Sequence, residues 1–177
     1  MQQRDGLTVA ETTELAEDTR GFIWIGTIGG LTRFDGSEMR PWAPRQVRHD
    51  IKVLASGPDG EVIVAGTGEP LWRVTADSVE AIAGPRGGPM HDWVDAALTA
   101  DRALWIASPD TLLRRANDQR WQHWDRSVFD GSPLRRAIAA RGESLFVATQ
   151  AALSSISPTG PARRIAEIPA VSRVVRL

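Results

Sequence analysis

The sequence predicts an all-β chain of the β-propeller class, about four four-stranded blades long, on three observations. A short strand-like core recurs at a period near 40 residues. The apolar runs are four to six residues long and rich in Ile, Val, Trp and Phe, which suits doubly buried strands better than helical repeats. Gly, Asp and Pro cluster at the ends of these runs, where turns are needed.

The four cores are Phe22-Ile23-Trp24-Ile25-Gly26, Glu61-Val62-Ile63-Val64-Ala65, Ala103-Leu104-Trp105-Ile106-Ala107 and Ser144-Leu145-Phe146-Val147-Ala148. Their central residues, Trp24, Ile63, Trp105 and Phe146, lie 39, 42 and 41 residues apart. A small residue follows each at two positions on (Gly26, Ala65, Ala107, Ala148), as close approach of stacked blades requires. A leucine follows further on: Leu31, Leu71, Leu112 and Leu153. Turn-prone pairs precede three cores, Asp59-Gly60, Asp101-Arg102 and Gly142-Glu143, and the longer turn Glu17-Asp18-Thr19-Arg20-Gly21 precedes the first. Each unit closes on a short apolar segment: Met39 to Trp42, Val79 to Ile82, Trp121 to Trp124 and Ile165 to Ile168.

The expected blades are therefore about 8–42, 51–83, 93–124 and 133–168, in a single propeller segment spanning 1–177. The tail Val171-Ser172-Arg173-Val174-Val175-Arg176-Leu177 has the pattern of the opening strand of a fifth blade. An arc of four blades leaves apolar faces uncovered, so self-association or further propeller blades are the expected partners.

Composition narrows the function. A formal net charge of −1 offers no excess of cations for phosphate backbones, so nucleic acid is not an expected partner. No apolar stretch approaches the length of a membrane span, so no membrane contact by this segment is expected. The opening Met1-Gln2-Gln3-Arg4-Asp5-Gly6 has no apolar signal core, which leaves open a cytoplasmic chain or one that starts after a removed signal. With no cysteine, disulfides, thiolate metal sites and a cysteine nucleophile are excluded.

Catalytic motifs are likewise missing. There is no Gly-x-Ser-x-Gly elbow, no His-Glu-x-x-His zinc helix and no Gly-x-x-x-x-Gly-Lys phosphate loop. The glycine-rich run Gly26-Thr27-Ile28-Gly29-Gly30 joins two expected strands and reads as a hairpin turn. No catalytic residue, no metal site and no cofactor is assigned.

One constellation suggests a ligand site. His49-Asp50 and His91-Asp92 lie fourteen and thirteen residues before Ile63 and Trp105, the same repeat position in consecutive blades. In a propeller that position falls in the crossing from one blade's outer strand to the next blade's inner strand, near the channel mouth. Imidazole–carboxylate pairs there suit a polar ligand or a divalent cation, and Trp93 adds a flat apolar face of the kind sugars stack on. The plainer alternative is that these residues form turns, using side chains to satisfy local backbone N–H groups. The arginine pairs Arg114-Arg115, Arg135-Arg136 and Arg163-Arg164 are expected on a solvated face.

Residues 15–36, Leu-Ala-Glu-Asp-Thr-Arg-Gly-Phe-Ile-Trp-Ile-Gly-Thr-Ile-Gly-Gly-Leu-Thr-Arg-Phe-Asp-Gly, carry a more specific signal. The run resembles the two-component regulator propeller repeat, with its acidic turn, its Trp-Ile-Gly-Thr strand and its closing Gly-Leu and Arg-aromatic-Asp. The other blades match more sparsely, through Val64-Ala65-Gly66-Thr67 with Leu71-Trp72-Arg73-Val74, Leu104-Trp105-Ile106-Ala107, and Phe146-Val147-Ala148-Thr149. The resemblance implies a non-catalytic periplasmic sensor propeller ahead of a transmembrane helix and a histidine kinase or diguanylate cyclase. It also implies a periplasmic ligand, carbohydrate or other small molecule, or a protein signal. The alternative is a propeller lyase or lactonase with a His/Asp metal site at the channel mouth, for which His49, Asp50, His91 and Asp92 are the candidates. A protein-interaction propeller of the WD-repeat kind ranks last, because its signature dipeptides are missing at the right register.

Overall fold

The computed structural model describes residues 11–43, 45–91, 93–139 and 142–169. Within them the chain is all-β. Four separate antiparallel sheets form, each of four strands hydrogen-bonded in chain order. Blade one holds β1 Thr12–Glu17, β2 Ile23–Thr27, β3 Gly30–Phe34 and β4 Met39–Trp42. Blade two holds β5 Ile51–Ser56, β6 Val62–Gly66, β7 Trp72–Val74 and β8 Val79–Ala81. Blade three holds β9 Asp95–Leu98, β10 Leu104–Ala107, β11 Thr111–Arg115 and β12 Trp121–Asp125. Blade four holds β13 Leu134–Ala139, β14 Leu145–Thr149, β15 Ala152–Ile156 and β16 Arg163–Glu167. The one helical turn among the described residues is a 3-10 turn at Arg126–Val128. These are four blades of a β-propeller, as the repeat predicts. The expected fifth-blade strand, 171–177, lies outside the described residues, as do the first residues expected in blade one.

The chain divides into two compact units, Met1–His91 with blades one and two, and Asp92–Leu177 with blades three and four. Each unit has its own core. In the first, Trp24 and Leu31 pack with Ile51, Leu54, Val62, Val64 and Val74. In the second, Ala97, Trp105, Ala107 and Leu112 pack with Leu134, Ala137, Leu145, Val147 and Ile156. Side chains alternate across a strand, so the residues of a second strand divide between two faces. In both units the central aromatic of the earlier blade, Trp24 or Trp105, faces the opening strand of the later one.

The small residue two positions on has the expected role in blade one. A Cβ at Gly26 would stand 2.7 Å from Ile51 Cγ2, so glycine lets β5 seat against β2. The hydroxyl that follows it closes the hairpin. Thr27 Oγ1 donates to the Gly30 carbonyl at 3.0 Å and accepts from the Gly29 N–H. Ser108 does the same for Thr111, and Thr149 Oγ1 accepts from the Ala151 and Ala152 N–H groups. Gly30 has φ +122°, and a Cβ there would meet the Val47 carbonyl oxygen at 2.9 Å.

Two sequence expectations are corrected. Phe146 aligns with three fully buried residues, Trp24, Ile63 and Trp105, yet is 37% exposed. Arg114, expected in solvent, is buried. It pairs with Asp101, donates to Gln122 at 2.9 Å and lies 5.6 Å from the Trp105 ring centre. The strand alternation puts Arg114 beside Trp105, its directly opposite neighbour, while Arg115 belongs to the other face.

Candidate functional site

The residues that carry the blade-one signature assemble one structural device. Burial would raise the carboxyl of Asp18, but hydrogen bonds to the charged form outweigh it and hold the group below its ordinary value. Trp24 Nε1 donates to Oδ2 at 3.0 Å, and the N–H groups of Arg20 and Phe22 donate to Oδ1. The acidic turn is thereby fastened to the core indole. Arg33, directly opposite Trp24, lays its guanidinium over Phe22 at 4.3 Å and Trp42 at 4.1 Å. Trp42 meets Trp24 edge-on, with centroids 5.7 Å apart. Asp35 Oδ1 accepts from the backbone N–H groups of Ser37 and Glu38, which form the β3–β4 turn and push its carboxyl down to about 2. Blade three repeats the arrangement with other atoms. Trp105 Nε1 donates to Thr99 Oγ1 at 3.2 Å, Arg114 takes the place of Arg33, and Trp124 stacks on Trp105 at 5.2 Å. In both blades the indole acceptor sits six residues before the tryptophan. In blade two the central residue is Ile63, and position six before it is Gly57. No indole is there to be satisfied.

The candidate ligand residues are placed as follows. His49 and Asp50 occupy the stretch between β4 and β5, immediately before β5. Exposed His49 has Nδ1 3.3 Å from Glu69 Oε1, the oxygen that also accepts from the Arg48 N–H. Asp50 adopts φ +32°, accepts from Thr67 Oγ1 at 3.1 Å and pairs with Lys52 Nζ at 2.7 Å. The hydrogen bond from Lys52 leads the interactions that hold its carboxyl below the ordinary value. The stretch is also fastened by its backbone. Asp50 N–H donates to the Ile28 carbonyl, Thr67 N–H to the Asp50 carbonyl, and a Cβ at Gly66 would lie 1.9 Å from the His49 carbonyl oxygen.

His91 is exposed at the end of the first unit, and half-buried Trp93 lies near the start of the second. Asp92 lies outside the described residues. The structure thus brings His49 and Asp50 into one polar cluster with Lys52, Thr67 and Glu69. Sequence reasoning missed the last three. Thr67 has a weak repeat signal: it lies four residues after Ile63, one further than Thr27 and Thr149 lie after Trp24 and Phe146. Glu69 and Lys52 have no such repeat signal.

Asp50 has a counterpart that explains its role. In blade four Asp130, also ahead of its opening strand, accepts from Thr149 Oγ1 at 2.7 Å. Each aspartate fastens the incoming stretch to the turn hydroxyl of its own blade. The cluster around His49 still presents an imidazole, an ammonium and carboxylate oxygens at the surface, a set able to exchange hydrogen bonds with a polar ligand. Among the described residues, no three His, Asp or Glu side chains stand close enough together to hold a metal ion. No described helix is long and apolar enough to cross a membrane.

No protein-family model and no curated protein sequence matches this chain. Solved structures do. The extracellular domain of a hybrid two-component system of B. thetaiotaomicron superposes with a TM-score of 0.71 at 15% identity, over 94% of this chain and 26% of that one. A second extracellular domain from the same organism gives 0.68 at 20%, over 95% and 23%. Virginiamycin B lyase from Staphylococcus aureus gives 0.64 at 14%, over 87% and 55%. The chain thus spans a little over half the length of the lyase and about a quarter of the receptor domains. At these identities the likeness, together with the four sheets in chain order, shows one thing about the chain: its fold is the β-propeller.

Proposed function

We propose that this chain is a segment of the extracytoplasmic sensor propeller of a bacterial two-component-type receptor, and that it recognises a signal without transforming it. The observation that carries this reading is the unbroken signature at residues 15–36, which resembles the two-component regulator propeller repeat. The fold likeness to extracellular domains of two-component systems supports it. The reading places the chain in the periplasm, with an inner-membrane anchor and an output domain supplied elsewhere in the receptor. The ligand is a small polar molecule, with carbohydrate the leading class, or a protein signal. Its candidate contacts are His49, Asp50, His91, Asp92 and Trp93, since aromatic, imidazole and carboxylate groups are the residue chemistry that suits hydroxyl-rich ligands. Binding drives signalling only through differential affinity for two receptor arrangements.

Calorimetric titration of the chain with soluble oligosaccharides tests this. The expected result is one saturating ligand whose affinity falls at least about tenfold, or 1.4 kcal/mol, with His49→Ala, His91→Ala or Trp93→Ala. A ligand whose affinity ignores alanine at all five positions places the site elsewhere. The second reading, a propeller lyase, is favoured by the superposition on virginiamycin B lyase. Metal-dependent turnover distinguishes it.

A further inference from the structure

Three of the four blades place an arginine on the third strand, directly opposite the central residue. Arg33 stands opposite Trp24, Arg73 opposite Ile63 and Arg114 opposite Trp105. Directly opposite residues share a face. Two other positions flank this arginine in each repeat: the fourth residue before the central one, and the fourth-strand residue directly opposite the arginine. In blade three they are Asp101 and Gln122, and both fill the Arg114 fork. Arg114 pairs with Asp101 and donates to Gln122 Oε1 at 2.9 Å. In blade two the same positions hold Asp59 and Glu80. In blade one both are arginines, Arg20 and Arg40.

The change leaves Arg33 alone among the three. Arg20 is engaged elsewhere, donating to Asp18 Oδ2 at 3.2 Å and to the Gly60 carbonyl at 3.2 Å. Arg40 donates to Glu38 Oε2 at 2.6 Å. The acids of this blade are likewise engaged. Asp18 also accepts from Trp24 Nε1 and two backbone N–H groups, and Asp35 Oδ1 accepts from the β3–β4 turn. Half-buried Arg33 has only aromatic partners, Phe22 at 4.3 Å and Trp42 at 4.1 Å, with Trp24 further off at 5.9 Å. Among the described residues no carboxylate pairs with it and no oxygen accepts from its N–H groups. A guanidinium keeps its charge at every ordinary pH and offers its donors as a planar fork that fits a carboxylate with two bonds. The rings against it hold that fork in place, so less side-chain freedom is lost when an acceptor arrives.

We propose that Arg33 is the receiving group of a carboxylate-binding site on blade one, and that the ligand is a small organic acid. The carboxylate takes at Arg33 the place that Asp101 takes at Arg114. Arg20 and Arg40 add positive charge around it, and Phe22 and Trp42 hold the guanidinium. This inference rests on the repeat register and the contacts of Arg33, not on the sensor reading or on the His49 set, so its failure leaves both intact.

Calorimetric titration with trigalacturonate, with its neutral counterpart galactotriose and with citrate tests it. Trigalacturonate and citrate distinguish an acidic sugar from a simple polycarboxylate. The expected result is saturable binding of at least one acid and none of galactotriose. Arg33→Lys keeps the charge but loses the fork, and should weaken binding at least about tenfold. Arg40→Glu leaves Arg33 in place and sets a carboxylate directly opposite it, as Glu80 stands opposite Arg73. This variant should also lose at least about tenfold, while unfolding cooperatively with a midpoint no lower than the parent's. Arg120→Glu, an equal change of charge at an exposed arginine paired with Asp118, should leave the affinity unchanged. Binding of neither acid overturns the proposal. So does an Arg40→Glu chain that binds as tightly as the parent, or a loss in Arg120→Glu equal to that in Arg40→Glu, which makes the effect one of net charge.

Discussion

Asp18 and Trp24, six residues apart, are joined by a hydrogen bond of 3.0 Å from indole Nε1 to carboxylate Oδ2, both side chains buried. This one contact links the turn before β2 to the core of the first unit, and its counterpart links Thr99 to Trp105.

Trp24→Ala and Trp105→Ala should each cost about 3–5 kcal/mol, since each empties a fully buried aromatic site. Trp24→Phe keeps most of the packing and removes the donor, so about 1–3 kcal/mol is expected. Denaturant titration separates the two effects. A double-mutant cycle with Asp18→Ala should show coupling between positions 18 and 24.

Acid should destabilise the chain in a defined way. The carboxyls of Asp18, Asp101 and Asp130 are held below their ordinary value in the fold, because hydrogen bonds to the charged form outweigh burial. Their contribution is fully present above the unfolded value near 3.8 and is lost as pH falls through the lower folded values. Denaturant midpoints measured from pH 7 down to about 2 should therefore stay level and then drop below about pH 4. Asp18→Asn should make that drop shallower.

Gly26→Ala should destabilise by about 1–3 kcal/mol, because the new methyl meets Ile51 at 2.7 Å. Ile51→Val should not recover the loss, since valine keeps both of the atoms the methyl meets, Cβ and Cγ2. Gly66→Ala should be worse and not rescuable by any side-chain change at 49, because its methyl meets the His49 backbone carbonyl. Melting temperatures of Gly26→Ala, of Gly26→Ala with Ile51→Val, and of Gly66→Ala check the order.

Thr67→Val and Asp50→Ala should each lower stability by about 1 kcal/mol, and the double variant should cost less than their sum, since both remove one hydrogen bond. Additivity would mean that the hydroxyl and carboxylate act independently.

Much of this architecture is legible in the sequence because the repeat is physical. Trp24 and Trp105 mark strands buried on both faces, and Gly26 marks a close approach. Exposure at the end of the series is not legible. Phe146 sits in a run like the others, and its environment depends on what covers its face, not on its neighbours in the chain. The inward turn of Arg114 is equally hidden, because an arginine pair reads as solvated until the partner Asp101 and the ring of Trp105 are in place. Of the candidate site, the local pairing of His49 and Asp50 was readable. Their fastening by Glu69 and Thr67, some twenty residues on, was not, because a single sequence carries no signal for a contact between two turns.

The central claim is recognition without transformation, and mass spectrometry tests it most directly. The chain is incubated with each ligand that binds it in the calorimetric titration, with and without divalent cations, and the ligand is recovered and compared in mass and chromatographic retention with a protein-free control. The account predicts that it returns unchanged at the rate of the protein-free control. A product of altered mass or retention whose formation requires both the chain and the cation would contradict it and make the propeller an enzyme.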